Sequence, residues 1–199
     1  MKLKNHYKMG HMICNNMTEN GIPLEKVLFK LGNLVPDILM TYAFNKHSHQ
    51  KCASRLEKLL KRIYAASPSN RFVFSYYSGV AAHYICDFLC YAHTSVFSGS
   101  LRDHLTYEKY QSFVDTDMLP FYKLDSMHYS LAELICALDE RISKRVQLLS
   151  RNAEMSFSDI PIAINIASWA TSAAYFYNHK YPQHIRHIEL HTTGRKKTA

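Results

Sequence analysis

Histidine and acidic residues gather in one part of the chain, at spacings that could hold a metal ion. His83, Asp87 and His93 are followed by His104 and Glu108. On a continuous helix, at about 100° per residue, Asp87 lies about 40° from His83 and His93 about 80° to the other side, so all three share one face. His104 and Glu108 are four residues apart, which also puts both on one face. Imidazole and carboxylate groups are ligands that Zn²⁺ takes in proteins, so the pattern indicates a zinc site.

Each of these residues alone has an ordinary explanation. A single buried histidine is usually a hydrogen-bonded core residue, and a histidine four residues from a glutamate is usually a surface contact. Asp87, however, stands in an apolar segment that runs from Val80 to Leu89. A carboxylate buried on such a helix is costly unless it is paired or coordinates a metal ion. Taken together, the residues favour one metal site over several unrelated structural roles.

Helical periodicity predicts the elements that must position these side chains. In 51–66 and 127–150, apolar residues recur every three or four positions with charged residues between them. The stretch 72–93 contains no turn signal, which indicates one long buried helix. Ser158 and Asp159, followed by Pro161, are typical of a capped helix start. These signals predict helices near 4–17, 24–31, 51–66, 72–93, 127–150 and 159–177.

The composition favours a folded, all-α protein. The 199 residues are 47% hydrophobic and 20% charged, which disfavours a disordered chain, and only 6 Gly and 6 Pro argue against a turn-rich sandwich or barrel. The longest apolar stretches, near 72–93 and 160–177, carry polar residues, so we expect buried core helices rather than membrane spans. We predict a single compact multi-helix domain over 1–180, with a metal site among buried helices, and a basic, flexible tail over 181–199.

Charge and cysteine usage suggest partners and a compartment. The net charge of +8 and the isoelectric point of about 9.2 favour anionic partners, such as phosphate esters, anionic lipid surfaces or nucleic acid. The basic residues do not form the stripe of a dedicated nucleic-acid binder, so we expect no such surface. The five cysteines are scattered, as in an intracellular protein with reduced thiols, and the first residues show no apolar signal segment. We therefore expect a cytoplasmic protein.

Signatures of several other enzyme classes are absent from the sequence. It contains no Gly-rich phosphate loop, no G-x-S-x-G elbow, no C-x-x-C and no H-E-x-x-H motif. It also lacks a Glu-x-x-His pair, which disfavours a ferritin-like di-iron bundle.

Two motifs resemble those of the zinc-dependent phospholipases C. The family signature is H-Y-x-x-D, a histidine six residues after the aspartate, and a downstream H-x-x-x-E. The segment 79–93, GVAAHYICDFLCYAH, and the segment 104–110, HLTYEKY, match it at every spacing. The segment 32–37, GNLVPD, resembles the upstream aspartate segment of the family. The likeness covers about 1–115, and its most specific part is 79–110.

The resemblance implies a set of zinc ligands. One zinc ion would be held by Asp37, His47, His83 and Asp87, and a second by His93, His104 and Glu108. Asp87 would bridge to a third ion, which His6 would help to bind. Two alternatives stay open: His49 in place of His47, and His11 in place of His6. The secreted enzymes of the family bind the third ion through an N-terminal Trp. This chain begins with Met1, so two ions are better supported than three.

The resemblance also implies a reaction. Clustered zinc ions would lower the pKa of a water molecule to about 7, and the resulting hydroxide would attack a phospholipid-type phosphate. Asp37 could act as general base as well as ligand. We therefore expect a zinc-dependent phosphodiesterase of the phospholipase C type, with a phosphodiester substrate and peripheral contact with an anionic membrane. The alternatives are a helical protein with a structural or inactive zinc site, and a zinc nuclease. Zinc nucleases resemble the chain less, because an Asp rather than a Glu completes their second site.

Overall fold

The computed structural model describes residues 3–39, 48–66, 69–116, 119, 122–124 and 127–181. This part of the chain folds into helices without any strand, which confirms the predicted all-α class. The α-helices are α1 (Leu3–Glu19), α2 (Lys26–Ile38), α3 (His49–Ala65), α4 (Arg71–Leu89), α5 (Leu101–Gln111), α6 (Leu131–Arg151) and α7 (Asp159–Lys180). Short 3₁₀ segments cover Tyr91–His93 and Ala153–Ser158.

Helix α4 forms the centre of the fold. It packs against α1, α2, α3, α6 and α7, and its residues from Ala81 to Leu89 are all buried. A helix that is apolar on every side can be covered only by neighbours on every side, which explains its central place. Because His83 and Asp87 lie on this helix, the fold takes both side chains out of water.

Two glycines let α2 and α4 cross at very short distance. A Cβ atom on Gly32 would overlap the backbone of Tyr76, and one on Gly79 would overlap the carbonyl group of Phe29. The two backbones therefore touch where other residues would keep them apart. This contact brings the second half of α2, with Asp37, against the part of α4 that carries the histidine and aspartate.

A capping box sets the start of α5. The hydroxyl oxygen of Ser100 accepts a hydrogen bond from the Asp103 N–H (3.3 Å), and Asp103 Oδ2 accepts one from the Ser100 N–H (2.8 Å). This reciprocal cap fixes the helical register in which His104 and Glu108 follow.

The structure corrects three local expectations. Helix α4 ends at Leu89, because Cys90 has an extended backbone (φ −90°, ψ 131°), so His93 lies on the following 3₁₀ turn rather than on the same helix. Helix α2 continues to Ile38 instead of ending near residue 31, because close packing against α4 outweighs the low helix propensity of Gly32 and Asn33. Apolar periodicity did not predict helix α5, and only the four-residue spacing of His104 and Glu108 indicated a helical turn there. Most of the predicted tail over 181–199 lies outside the described residues, so the domain boundary stays a prediction.

Candidate metal centre

The first group of candidate ligands combines a histidine from α1 with two residues of α4. His6, His83 and Asp87 are completely buried. The Nε2 atom of His6 lies 3.2 Å from Asp87 Oδ1, and the Nε2 atom of His83 lies 3.3 Å from Asp87 Oδ2. The two imidazole rings are stacked, with centroids 3.8 Å apart and planes 19° from parallel. One carboxylate thus faces two imidazole nitrogens at nearly equal distance.

Asp37 adds a second carboxylate from α2. Its Oδ1 atom lies 3.7 Å from His83 Nε2, and its Oδ2 atom lies 3.8 Å from His6 Nε2. The Asp37 side chain is 18% exposed, whereas the other three are buried. Asp37 is therefore the member of this set that reaches toward solvent.

Asn33 holds both histidines of the first group. The Nδ1–H of His83 donates to the backbone carbonyl oxygen of Asn33 (2.9 Å), and this bond assigns the proton to Nδ1 because a carbonyl can only accept. The side-chain Nδ2 atom of Asn33 donates to the backbone carbonyl of His6 (2.6 Å). A hydrogen bond on one ring nitrogen that leaves the other to face the ligand cluster is the usual arrangement around a metal-binding histidine. The sequence interpretation missed Asn33, although it lies within the 32–37 segment that resembles the family.

The second group comes from the 3₁₀ turn and α5. Glu108 Oε1 lies 2.9 Å from His104 Nε2 and 3.6 Å from His93 Nε2. The predicted pairing of His104 and Glu108 on one helical face is therefore present. The backbone carbonyl of Glu108 also accepts a hydrogen bond from Asn5 Nδ2 (3.1 Å), which ties α5 to the start of α1. Asn5 is a second supporting residue that the spacing of motifs could not indicate.

Asp87 connects the two groups. Its Oδ1 atom lies 3.7 Å from His93 Nε2, and the same oxygen faces His6. Within each group, the candidate ligand atoms all lie within 4.8 Å of one another. The candidate ligands thus form one continuous cluster, with a carboxylate at the junction.

Burial and neighbouring charges set the protonation states that metal binding needs. Burial, reinforced by His83, lowers the pKa of His6 to about 3, and burial also lowers the pKa of His93. Burial by itself would raise the pKa of Asp87, but His93 and the other histidines outweigh it and hold this pKa well below its usual range. The pKa of Glu108 is lowered in the same way, since hydrogen bonds from His104 and His93 outweigh burial. Neutral imidazoles and ionised carboxylates are the forms that bind metal ions.

The cluster fits zinc. Zinc bonds of about 2.0–2.2 Å to nitrogen and oxygen place two tetrahedral ligands about 3.3 Å apart. The separations of 3.2 Å and 3.3 Å between Asp87 and the two histidines agree with that spacing. Within the described residues, His6 Nδ1 makes no hydrogen bond although the ring is fully buried, and His6 Nε2 faces the Asp87 carboxylate. A metal ion bound at Nε2 would be coordinated by this nitrogen together with the Asp87 oxygen 3.2 Å away.

The two open choices among the histidines have different outcomes. His6 lies in the first group, whereas His11 Nε2 contacts the side chain of Asn15 at 3.2 Å, so the geometry favours His6. His47 lies outside the described residues. His49 begins α3, and its Nε2 atom lies 3.0 Å from Asp139 Oδ1 rather than in either candidate group.

A cavity opens beside His93, one member of the second group. It has a volume of about 530 Å³ and is bordered by His93 and Phe88 on one side and by Ile142 and Lys144 of α6 on the other. His49 also lines it, with its ring edge against Phe88. The cavity is large enough for a small organic group next to the candidate ligands.

Comparison with known proteins identifies the class. A family model described as zinc dependent phospholipase C matches residues 5–159, which is more than half of the chain. The chain therefore belongs to the zinc-dependent phospholipase C family. No curated protein and no solved structure matches it significantly.

Among the described helices, none combines the length and the apolar character needed to cross a bilayer. The cytoplasmic location stays a prediction.

Proposed function

We propose that the protein is a zinc-dependent phosphodiesterase that hydrolyses phospholipid-type substrates. The observation that carries the proposal is the position of Asp87, which joins two histidine–carboxylate groups into one cluster. A structural zinc site needs only one such group, whereas phosphoryl chemistry commonly uses adjacent ions. The family membership supports the same general kind of activity.

The proposed ligands divide into two sets. Asp37, His83 and Asp87 would hold one zinc ion, together with His47 from outside the described residues, and His93, His104 and Glu108 would hold a second. The resemblance assigns His6 to a third ion, but His6 lies 3.2 Å from Asp87, so we place it with the first set. Bound zinc supplies a water of lowered pKa and positive charge against the phosphate oxygens. The ionised carboxylates of Asp37, Asp87 and Glu108 would supply negative charge that balances the metal ions. The complete burial of His6, His83 and Asp87 keeps bulk water away from that part of the cluster.

Asp37 is the proposed general base. A base must be ionised, close to the reacting water and able to pass its proton to solvent. Of the three carboxylates in the described cluster, Asp37 is the most exposed, since Asp87 is fully buried and Glu108 nearly so. It can therefore hold a proton next to the cluster and release it to water.

The surroundings of the second group suit a lipid substrate. The cavity beside His93 has room for a headgroup or glycerol portion. Helix α5 exposes Leu101 (74%) and Leu105 (49%), four residues apart and on the helix that carries His104. With the net charge of +8, an apolar helix face beside the site favours peripheral contact with an anionic membrane.

A substrate screen with a metal-site variant tests this proposal. Zinc-loaded parent protein, Asp87→Asn and the control Glu154→Gln are compared on phospholipid vesicles, on a chromogenic phosphodiester and on single-stranded DNA. Glu154 is an exposed carboxylate outside the cluster, so its variant controls for the loss of one negative charge. We expect the parent and the control to release phosphorylated headgroup from vesicles, and Asp87→Asn to lose at least about 100-fold of that activity, together with bound zinc.

The other outcomes identify the alternatives. A zinc-loaded parent that is inert on all three substrates would indicate a structural or inactive site. Hydrolysis of single-stranded DNA without hydrolysis of vesicles would indicate a zinc nuclease.

A further inference from the structure

Asp159 is a buried carboxylate that none of the motifs includes. It is the first residue of α7 and has no exposed surface. Its Oδ2 atom accepts hydrogen bonds from the backbone N–H of Tyr91 (2.8 Å) and from the hydroxyl of Tyr107. Its Oδ1 atom accepts from the guanidinium Nη2 of Arg145, which is itself 3% exposed. This carboxylate therefore holds three separate parts of the fold at once.

Two of its partners belong to the segments that carry the second ligand group. Tyr91 begins the 3₁₀ turn that ends in His93, and Tyr107 directly precedes Glu108 on α5. The rings of the two tyrosines also meet edge to face, with centroids 6.3 Å apart. A single oxygen of Asp159 thus links the turn to the helix, and this link lies beside the ligands from those two segments. The distance between His93 and Glu108 depends on how these segments are placed.

Stability alone does not explain this arrangement. Burying an ion pair costs free energy that the attraction often fails to recover, and apolar residues of similar size are frequently as stable. Arg145 also keeps two buried nitrogens, Nε and Nη1, without a hydrogen-bond partner among the described residues. Burial raises the pKa of Asp159 despite the hydrogen bonds from Tyr107, Tyr91 and Arg145. The fold therefore keeps a buried charged pair at the point where the Asp159 carboxylate also accepts hydrogen bonds from the two ligand-bearing segments.

We propose that Asp159 is a positioning residue for the second metal-binding group. By accepting hydrogen bonds from Tyr91 and Tyr107, it fixes the separation between His93 on the turn and the ligands of α5. The inference rests on the proposed metal centre, in that the second group must bind an ion, but it does not depend on the substrate.

The test separates positioning from stability. In the double variant Asp159→Leu/Arg145→Met, an apolar pair of similar size replaces the ion pair. Its melting temperature measures the stability that is lost with the acceptor of the Tyr91 N–H and the Tyr107 hydroxyl. A second variant, Tyr107→Phe, removes only one hydroxyl group, and its matched control is Tyr110→Phe on the exposed face of the same helix. Binding of Co²⁺ is followed by equilibrium dialysis with metal analysis and by the visible absorption spectrum of each bound ion.

We expect the parent and Tyr110→Phe to bind two ions. In the double variant the first ion should stay, whereas the affinity for the second should fall about 10–100-fold and its absorption spectrum should change. Tyr107→Phe should weaken the second ion about tenfold. A role confined to stability would lower the melting temperature but leave the affinity and the spectrum of the second ion unchanged in the folded variant.

Three results would overturn the proposal: a folded double variant that binds both ions with parental affinity and spectrum, an unchanged second affinity in Tyr107→Phe, or a parent that binds only one ion. If the double variant does not fold, Tyr107→Phe decides the question. Vesicle hydrolysis is measured in parallel. Loss of the second ion in the variants of a parent that hydrolyses nothing would support positioning and contradict only the proposed function.

Discussion

The substitution Gly79→Ala tests the close crossing that places α2 against the metal centre. An added Cβ would overlap the Phe29 carbonyl oxygen, and it would lie 2.9 Å from the Phe29 carbonyl carbon and 3.1 Å from the Asn33 nitrogen. These are backbone atoms, so no side chain can rotate away. Helix α2 would have to retreat on the order of 1 Å to restore ordinary contact distances.

Two opposing effects decide the sign of the change in stability. Inside a helix, alanine is favoured over glycine by about 1 kcal/mol, so helix propensity alone predicts stabilisation. Overpacking in a core costs about 1–3 kcal/mol, and contact with backbone on both sides places this site at the upper end. We therefore expect the free energy of unfolding to fall by about 2 kcal/mol. For a chain of this size that corresponds to a melting temperature lower by about 4–8 °C.

The assay combines thermal unfolding with zinc binding. Because Asn33 lies at the overlap and its carbonyl accepts the hydrogen bond from His83, the retreat of α2 should also weaken zinc binding to the first group, by about 10–100-fold. The control is Ser54→Ala, at an exposed position in α3. It also introduces an alanine into a helix, but the new side chain overlaps nothing, so the melting temperature should change little. A Gly79→Ala protein that melts at or above the parental temperature, with unchanged zinc affinity, would refute the proposed backbone contact.

Three further predictions concern the metal centre itself. Glu108→Gln should remove most binding of the second zinc ion, by at least about 100-fold, while Glu154→Gln should not, as measured by dialysis and metal analysis. Asn33→Leu should weaken binding of the first ion about 10–100-fold in zinc titrations, because the backbone of His6 loses the amide group that ties it to α2. The metal-free protein should lose stability as the pH falls from about 6.5 toward 3, since unfolded His6 takes up a proton that the folded chain excludes. Chemical denaturation across this range measures the loss, and a pH-independent stability would contradict the assignment of His6 as buried and neutral.

Local sequence signals were enough to predict most of the helices, the all-α class and two of the contacts between candidate ligands. Apolar residues at three- and four-residue spacing are enough to place most of the helices, because that spacing reflects the helical repeat itself. The same repeat brings His83 to Asp87 and His104 to Glu108 without help from the rest of the chain. The all-α class and the family could therefore be predicted from the order of the residues alone.

Expectations that assumed an uninterrupted helix were less successful. The prediction that His93 shares a helix with Asp87 was wrong, because the backbone leaves the helix at Cys90. His93 nevertheless lies 3.7 Å from Asp87, so the contact survives through a different backbone path. Where a helix ends depends on packing that one short window of sequence does not contain.

Only the tertiary structure decided which residues support the ligands. Asn33 orients His83 from 50 positions away, Asn5 reaches the backbone of Glu108 across 103 positions, and Asp159 holds Tyr91 across 68. Asparagine and aspartate are common polar residues, and nothing in their local spacing distinguishes these positions. Hydrogen bonds between distant segments form only after the helices have packed. The sequence therefore indicates the chemistry of the centre, while its geometry is decided by the packing of α1, α2 and α7 around α4 and by the contact of α5 with the 3₁₀ turn that carries His93.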